Sequence, residues 1–564
     1  MIGKPVGGSG GISTFTGLTD TPSTFSGQKG REYIVNNAEN ALIAVLSKFP
    51  VAMYGAVGDA KAVNDGNITA TSDVFSTSAK TLFTSSDVGK TIAIRGAGAA
   101  GANLTTTIAE YLSTSSVKLT DAASTTIVDK QAVWGTENTA AFQSAYDACY
   151  AYGGGRMIVD VGNFLCTGYL DFYRTLGGIL KRVHVSFEGD AHGPFEAHAD
   201  AGGVGGTSIG AKTVPYFPMI MITDTVNDFL QLNGYSGFNV SDLAFYYPLQ
   251  VHPTEATPIV YPWTINLIPY ASACSIRRCS FINSYKALKY HGGRGYVTDN
   301  FFGCYLQAAE FDHVRDFLWI ENNMVQMMYN FIEGYGGTQP IDAWVNINGY
   351  GFVFLGGEAF HLHGFKCFSR AYPIKIARSS DTGQFNGGVS YGEASDIHLD
   401  LCHIGVWIEN CYALGWDFVN LAIATLTGSA SYVKVDAGSM RWNGGKVWNS
   451  VPTTPLDIAA GAKFSFDNVY GLSNKAGFTQ VGNMGVGTIT PTQKLEINGK
   501  IKISNDAGAA AGGVMRYDSS TGKFEGYDAV AAAWVEFGGG GGGIDGGLFT
   551  DTYTITGVDG GAFI

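Results

Sequence analysis

Three carboxylates, Glu310, Asp312 and Glu333, lie in segments whose residues alternate as a strand's do. In Ala309-Glu310-Phe311-Asp312-His313 the two acids sit at alternate positions, which places them on one face of an extended chain. Glu333, in Phe331-Ile332-Glu333-Gly334-Tyr335, falls about one repeat further along. Hydrolysis of a glycosidic bond needs two carboxyl groups roughly 5–9 Å apart. Eliminative cleavage of a uronate needs a base, with a cation or metal to neutralise the uronate carboxylate. Tyr305, Trp319, Tyr329 and Tyr335 stand nearby in sequence and offer ring faces on which a sugar could stack. Each residue also has a plainer reading: an exposed carboxylate is ordinarily just solvated, and an aromatic ordinarily fills a core or a subunit contact. His361 and His363 share a strand face, with His398 and His403 further on. Alternation alone does not make ligands converge, so no metal and no cofactor is assigned.

These residues need a scaffold that brings distant segments side by side. Ile276-Arg277-Arg278-Cys279, Val297-Thr298-Asp299-Asn300 and Ile320-Glu321-Asn322-Asn323 repeat one theme. Val297 follows Ile276 by 21 residues, and Ile320 follows Val297 by 23. Such a period marks stacked repeats, here short strands and turns with an inward row of Val, Ile, Leu, Phe or Cys. Asn300 and Asn323 are expected at the tight turns, because Asn tolerates positive φ. Further strands are expected at Phe360–His363, Ile397–Leu401 and Val433–Val435, and a projecting loop over Ser379–Ser390.

An open end of stacked strands must be covered. The stretch Trp134–Cys166 has the means. Thr136, Asn138 and Thr139 are capping residues, and Phe142, Ala145, Tyr146 and Cys149 form one apolar helical face. Gly153–Gly155 stop the helix, and short strands follow at Met157–Val159 and Phe164–Cys166. Tyr54-Gly55-Ala56-Val57-Gly58-Asp59, then Gly135-Thr136-Glu137-Asn138-Thr139-Ala140-Ala141-Phe142, then Gly153-Gly154-Gly155, resemble the N-terminal signature of pectate-lyase-like right-handed β-helices. That signature is common among bacteriophage tailspikes and capsule depolymerases. In many relatives the GAxGD run leads directly into the helix. Here residues 60–133 intervene, and their strand-like runs at Thr91–Ile94 and Val117–Leu119 are read as a small β insertion, expected to pack on the helix end.

Residues 1–50 resemble a module near the N-termini of phage tail fibres, where the protein docks on the virion. Met484–Gly499 and the runs at Gly513–Tyr517, Phe524–Tyr527 and Trp534–Glu536 resemble C-terminal tail-fibre modules, and Gly538–Gly543 reads as flexible. The organisation expected is an attachment segment (1–50), a cap with its insertion (51–166), a parallel β-helix shaft (167–475), a β module (476–537) and a Gly-rich tail (538–564). The fold class expected is mainly β, a right-handed parallel β-helix capped by an α-helix. The resemblance implies a homotrimer.

Composition bounds the rest. With 77 glycines and only 15% charged residues, the chain reads as turn-rich β-structure. A net charge of −13 argues against nucleic-acid binding, and no apolar run reaches the roughly 20 residues of a membrane span. The eight cysteines form no CxxC pair and lie in apolar contexts, as buried thiols do. No secretory signal is visible at the N-terminus, which disfavours a secreted pectate lyase. The expectation is a phage tailspike or tail fibre, made in the host cytoplasm and carried on the virion. Its N-terminus meets baseplate or tail proteins and its shaft recognises host surface polysaccharide. Whether it also cleaves the glycan, or is a non-enzymatic receptor-binding fibre, is left open.

Overall fold

The computed structural model describes residues 48–470, except 79–81, 173–182, 191–216, 233–236, 252–254, 315, 327–338, 380–389, 412–414, 450–451 and 468, together with seven separate strands outside that span. Of the loop expected over Ser379–Ser390, residues 380–389 lie outside the described residues, as does the glycine run 538–543; Ser379 and Ser390 themselves are buried. The chain divides into two compact units, residues 1–496 and 497–564.

The first unit is mainly β, dominated by one large sheet of 27 strands. Most of its strands pair in parallel with strands one to three elements later, and the pairing runs in three ladders. One inward column runs Met157, Phe187, Val240, Ile276, Val297, Ile320, Leu362, Ala394, Phe418 and Trp442. The period seen in the sequence is therefore the register itself: Ile276 faces Val297, and Val297 faces Ile320. A second column carries Phe245, Phe281 and Phe302, with ring centroids 5.5 and 5.0 Å apart. A third runs Ile265, Leu288, Ala309, Phe352, Ile374 and Val406. All belong to one buried core cluster. All eight cysteines are buried.

Asn300 and Asn323 are not at positive φ. The turn residues there are Asp299 (φ 58°) and Asn322 (φ 53°), each one position earlier. Asn300 and Asn323 instead point inward, fully buried, and stack as an amide ladder. The Cys279 N–H donates to Asn300 Oδ1 at 2.9 Å, and Asn300 Nδ2 donates to Asn323 Oδ1 at 3.0 Å and to Ile276 O at 2.9 Å. The side-chain amide wins this place because it satisfies backbone groups that the corner removes from the sheet.

Helix α1 (Thr139–Tyr152) covers the first strands with the face the spacing predicts: Phe142, Ala145, Tyr146 and Cys149 are buried. Phe142 meets Phe164 and Phe187 edge-on, and Tyr146 stacks on Phe172 at 3.9 Å. Gly153 ends the helix at φ 107°, a left-handed conformation that glycine adopts without strain. Helix α2 (Pro340–Asn348), which has no counterpart in the sequence reading, packs Ile341 and Val345 against Val251 and Tyr305.

The insertion is a closed six-stranded barrel built from Lys61–Ile68, Val74–Thr77, Ser116–Leu119, Leu104–Ser113, Thr91–Ile94 and Ile127–Gly135. It does not sit on the helix end. Its small residues Ala60, Ala62 and Ala93, with Val133, pack on Leu165, Met219, Met221 and Tyr246 on the outside of the parallel sheet. Alanines let the two sheets approach closely. Where the chain enters and leaves the barrel, Asp59 accepts from the Thr136 N–H and hydroxyl at 2.8 and 3.0 Å, and Lys90 lies 3.0 Å from Asp59. Asn138 accepts from the Val57 N–H at 2.7 Å. Gly58 lies against Gly162, and a Cβ there would stand 2.8 Å from the Gly162 Cα. Arg95 forks onto Glu255 at 2.6 and 2.7 Å, joined by Lys130 at 3.3 Å. In the second unit, Met515–Asp518, Lys523–Asp528 and Ala533–Glu536 form a three-stranded antiparallel sheet.

Two outcomes are expected. Asn300→Ala orphans the Cys279 N–H and costs about 2 kcal/mol in denaturant unfolding, whereas Lys463→Ala, at an exposed strand position, changes stability by under about 0.5 kcal/mol. Burial alone would raise the Glu255 carboxyl, but Arg95 and Lys130 outweigh it and hold it down at about 2. The folded-state value is depressed, so this contribution is complete above the unfolded glutamate range and is lost as pH falls toward about 2. Thermal scans between pH 6 and 2 should show that loss in the wild type, and Glu255→Gln should flatten it.

Candidate functional site

Strands Ser280–Thr298 and Phe301–Asp312 pair in parallel with Lys289 opposite Glu310, Tyr290 opposite Phe311, and His291 opposite Asp312. Tyr290 and Phe311 point into the core. The flanking residues therefore point outward, and Glu310 and Asp312 share one face as expected. They do not stand in water. Asp312 is 4% exposed and His291 8%. Ser379, beyond strand Tyr372–Ile376, donates to Asp312 Oδ2 at 2.8 Å, and the His313 N–H donates to Asp312 Oδ1 at 2.8 Å. His291 Nε2 lies 3.3 Å from Glu310 Oε1, and Lys289 Nζ lies 3.7 Å from the same oxygen. Burial alone would raise the Glu310 carboxyl, but His291, Lys289 and Lys286 outweigh it and hold it below the usual glutamate range. Glu310 is therefore set up to stay ionised, as a base or a fixed negative charge, rather than to donate a proton.

His313 follows at φ +54°, a left-handed conformation that histidine tolerates better than most side chains, and turns the chain into the next face. On that face an outward row runs Tyr296, Trp319, His361, Glu393, Asp417 and Arg441, each opposite the next in parallel register. Trp319 stacks on His361, with centroids 4.4 Å apart and planes at 16°. His361 Nδ1 lies 2.6 Å from Glu393 Oε1. Tyr296 is 42% exposed, with the Arg277 guanidinium 4.9 Å from its ring.

The structure thus brings Glu310 and Asp312 together and sets Trp319 around the corner from them. Tyr305 is fully buried against Val251, Ile341 and Val345, so it fills a core beneath α2 and presents no ring to a sugar. Glu333, Tyr329 and Tyr335 lie outside the described residues. Of the four histidines weighed as ligands, His361 and His363 lie on one strand, while His398 pairs with Lys366 on a different ladder and His403 lies between strands Gly392–Cys402 and Ile404–Ile408. Lys289, His291, Tyr296 and Glu393 were missed. The period carries the signal for two of them: Asp312 follows His291 by 21 residues, and Trp319 follows Tyr296 by 23.

No protein-family model and no curated protein matches the chain. Among solved structures, DFA-IIIase from Arthrobacter chlorophenolicus A6 shares 10% identity over 62% of this chain and 88% of its own, with a TM-score of 0.39. ORF18 of Geobacillus virus E2 shares 9% over 90% and 92%, with a TM-score of 0.30. The catalytic domain of a GH87 alpha-1,3-glucanase in complex with nigerose shares 10% over 78% and 93%, with a TM-score of 0.28.

A carboxyl-detected NMR titration should find Glu310 ionising below the ordinary glutamate range. Lys289→Met, which removes one of its cations, should move that titration upward. A Glu310 midpoint at or above the ordinary value would contradict the arrangement.

Proposed function

We propose that the chain is a phage tailspike or tail fibre that recognises host surface polysaccharide. In this reading the three ladders wind as a right-handed parallel β-helix capped by α1. Residues 1–50 attach to baseplate or tail proteins, residues 476–537 serve assembly or recognition, and three copies associate on the virion after synthesis in the host cytoplasm. The sequence resemblance supports the architecture. The glycan reading rests on one observation: aromatic and carboxylate side chains succeed one another along the outward row Tyr296, Trp319, His361, Glu393 and Asp417. Ring faces stack on the apolar faces of sugars, and carboxylates accept from their hydroxyls. At the strand spacing of about 4.8 Å, such a row offers repeated contacts to a repeating polymer.

A second reading adds cleavage. Glu310 and Asp312 flank Phe311 on one outward face, beside His291 and Lys289. An ionised Glu310 suits proton abstraction, and Lys289 suits neutralisation of a uronate. Glu333 keeps its place as a third candidate carboxylate.

Binding of the purified protein to host capsule or lipopolysaccharide tests the first reading. Trp319→Ala should weaken it about tenfold, or roughly 1.4 kcal/mol, while Tyr305→Phe leaves it unchanged. Equal binding by Trp319→Ala, or no glycan binding at all, defeats the proposal. Fragment analysis of the same mixtures separates the alternatives: unsaturated ends indicate elimination, new reducing ends without them indicate hydrolysis, and intact glycan indicates a non-enzymatic fibre.

A further inference from the structure

We propose that His291, Asp312 and His313 form a binding site for one divalent transition-metal ion. The parallel register sets His291 directly opposite Asp312, and the left-handed turn at His313 brings a second imidazole to the same carboxylate. Each residue offers one ligand atom, and the three atoms lie within 4.8 Å of one another. His313 Nδ1 and Asp312 Oδ2 are 3.3 Å apart. Two ligands held about 2.0–2.1 Å from a tetrahedral ion stand about 3.3–3.4 Å apart, so this edge is already at the coordinating separation.

The chemistry of the set selects the ion. Two imidazoles and one carboxylate suit zinc, iron, manganese, cobalt or nickel, whereas calcium and magnesium take oxygen ligands. All three residues are withdrawn from water, His291 and His313 at 8% exposed and Asp312 at 4%. An ion stabilises such a buried group by supplying charge and bonds in place of lost hydration. The surroundings hold the ligands in place: Ser379 Oγ and the His313 N–H donate to the two oxygens of Asp312, and Glu310 stands against His291 Nε2. A carboxylate against a ring nitrogen that does not ligate fixes the tautomer and orientation of the imidazole. Three protein ligands leave a coordination position for water or for an oxygen of a bound molecule. Ion binding at this site does not depend on glycan cleavage.

Tag-free full-length protein, stripped with chelator and then exposed to Zn2+, Mn2+ or Ca2+, tests the site by elemental analysis after gel filtration and by calorimetric unfolding. The expected result is one equivalent of zinc or manganese per chain with a raised unfolding temperature, and neither effect with calcium. His291→Ala and Asp312→Asn, each with an unchanged far-ultraviolet spectrum, should lose the equivalent. Glu310→Gln should retain the ion with roughly 10–100-fold weaker affinity. Zinc-edge X-ray absorption on the wild type, which needs no variant to fold, should report two imidazoles and one carboxylate. Failure to retain any transition ion, retention undiminished in both ligand variants, or a coordination shell without imidazole overturns the proposal.

Discussion

In-register parallel pairing is the constraint on which everything else in the first unit depends. Once Ile276 faces Val297, and Val297 faces Ile320, every side chain along those strands has its neighbours assigned. Inward positions must then be apolar or internally satisfied, because the same position on the adjacent strands is also inward. The stacked Phe281 and Phe302 rings meet that demand by dispersion, and the Asn300–Asn323 amides meet it by hydrogen bonding. A one-residue slip would turn the whole column outward, so the apolar pattern and the amide ladder specify the same register.

The same register makes the outward chemistry. Lys289, His291, Glu310 and Asp312 come from two strands and meet only because Tyr290 and Phe311 are held inward between them. On the neighbouring face, Trp319 meets His361 and His361 meets Glu393 across gaps of dozens of residues. The two faces differ in character. One gathers buried ionisable groups into a small polar network, and the other spreads rings and carboxylates along the surface.

What the sequence disclosed was local or periodic. The helix was legible because its apolar face recurs at helical spacing from Phe142 to Cys149, and the repeat was legible because Ile276, Val297 and Ile320 recur at nearly even intervals. The pairing of Glu310 with Asp312 followed from strand alternation alone. Less local features were hidden. Tyr305 looks like any tyrosine until α2, supplied by residues well downstream, closes over it. The inward turn of Asn300 depends on a one-residue offset at the corner, which composition does not mark. Closure of the barrel depends on pairing Lys61–Ile68 with Ile127–Gly135, two segments whose separation in sequence says nothing of their contact.

The neck of the barrel has a consequence for how this chain could have been assembled. Asp59 bonds Thr136, Val57 bonds Asn138, and the entering strand Lys61–Ile68 pairs antiparallel with the leaving strand Ile127–Gly135, so the chain enters and leaves side by side. Seen from α1, the whole intervening stretch is a closed detour that starts and finishes at one address. A segment tethered in that way behaves as a cassette: ancestry can splice it in, enlarge it or drop it while the junction, with Gly58 against Gly162, keeps its form.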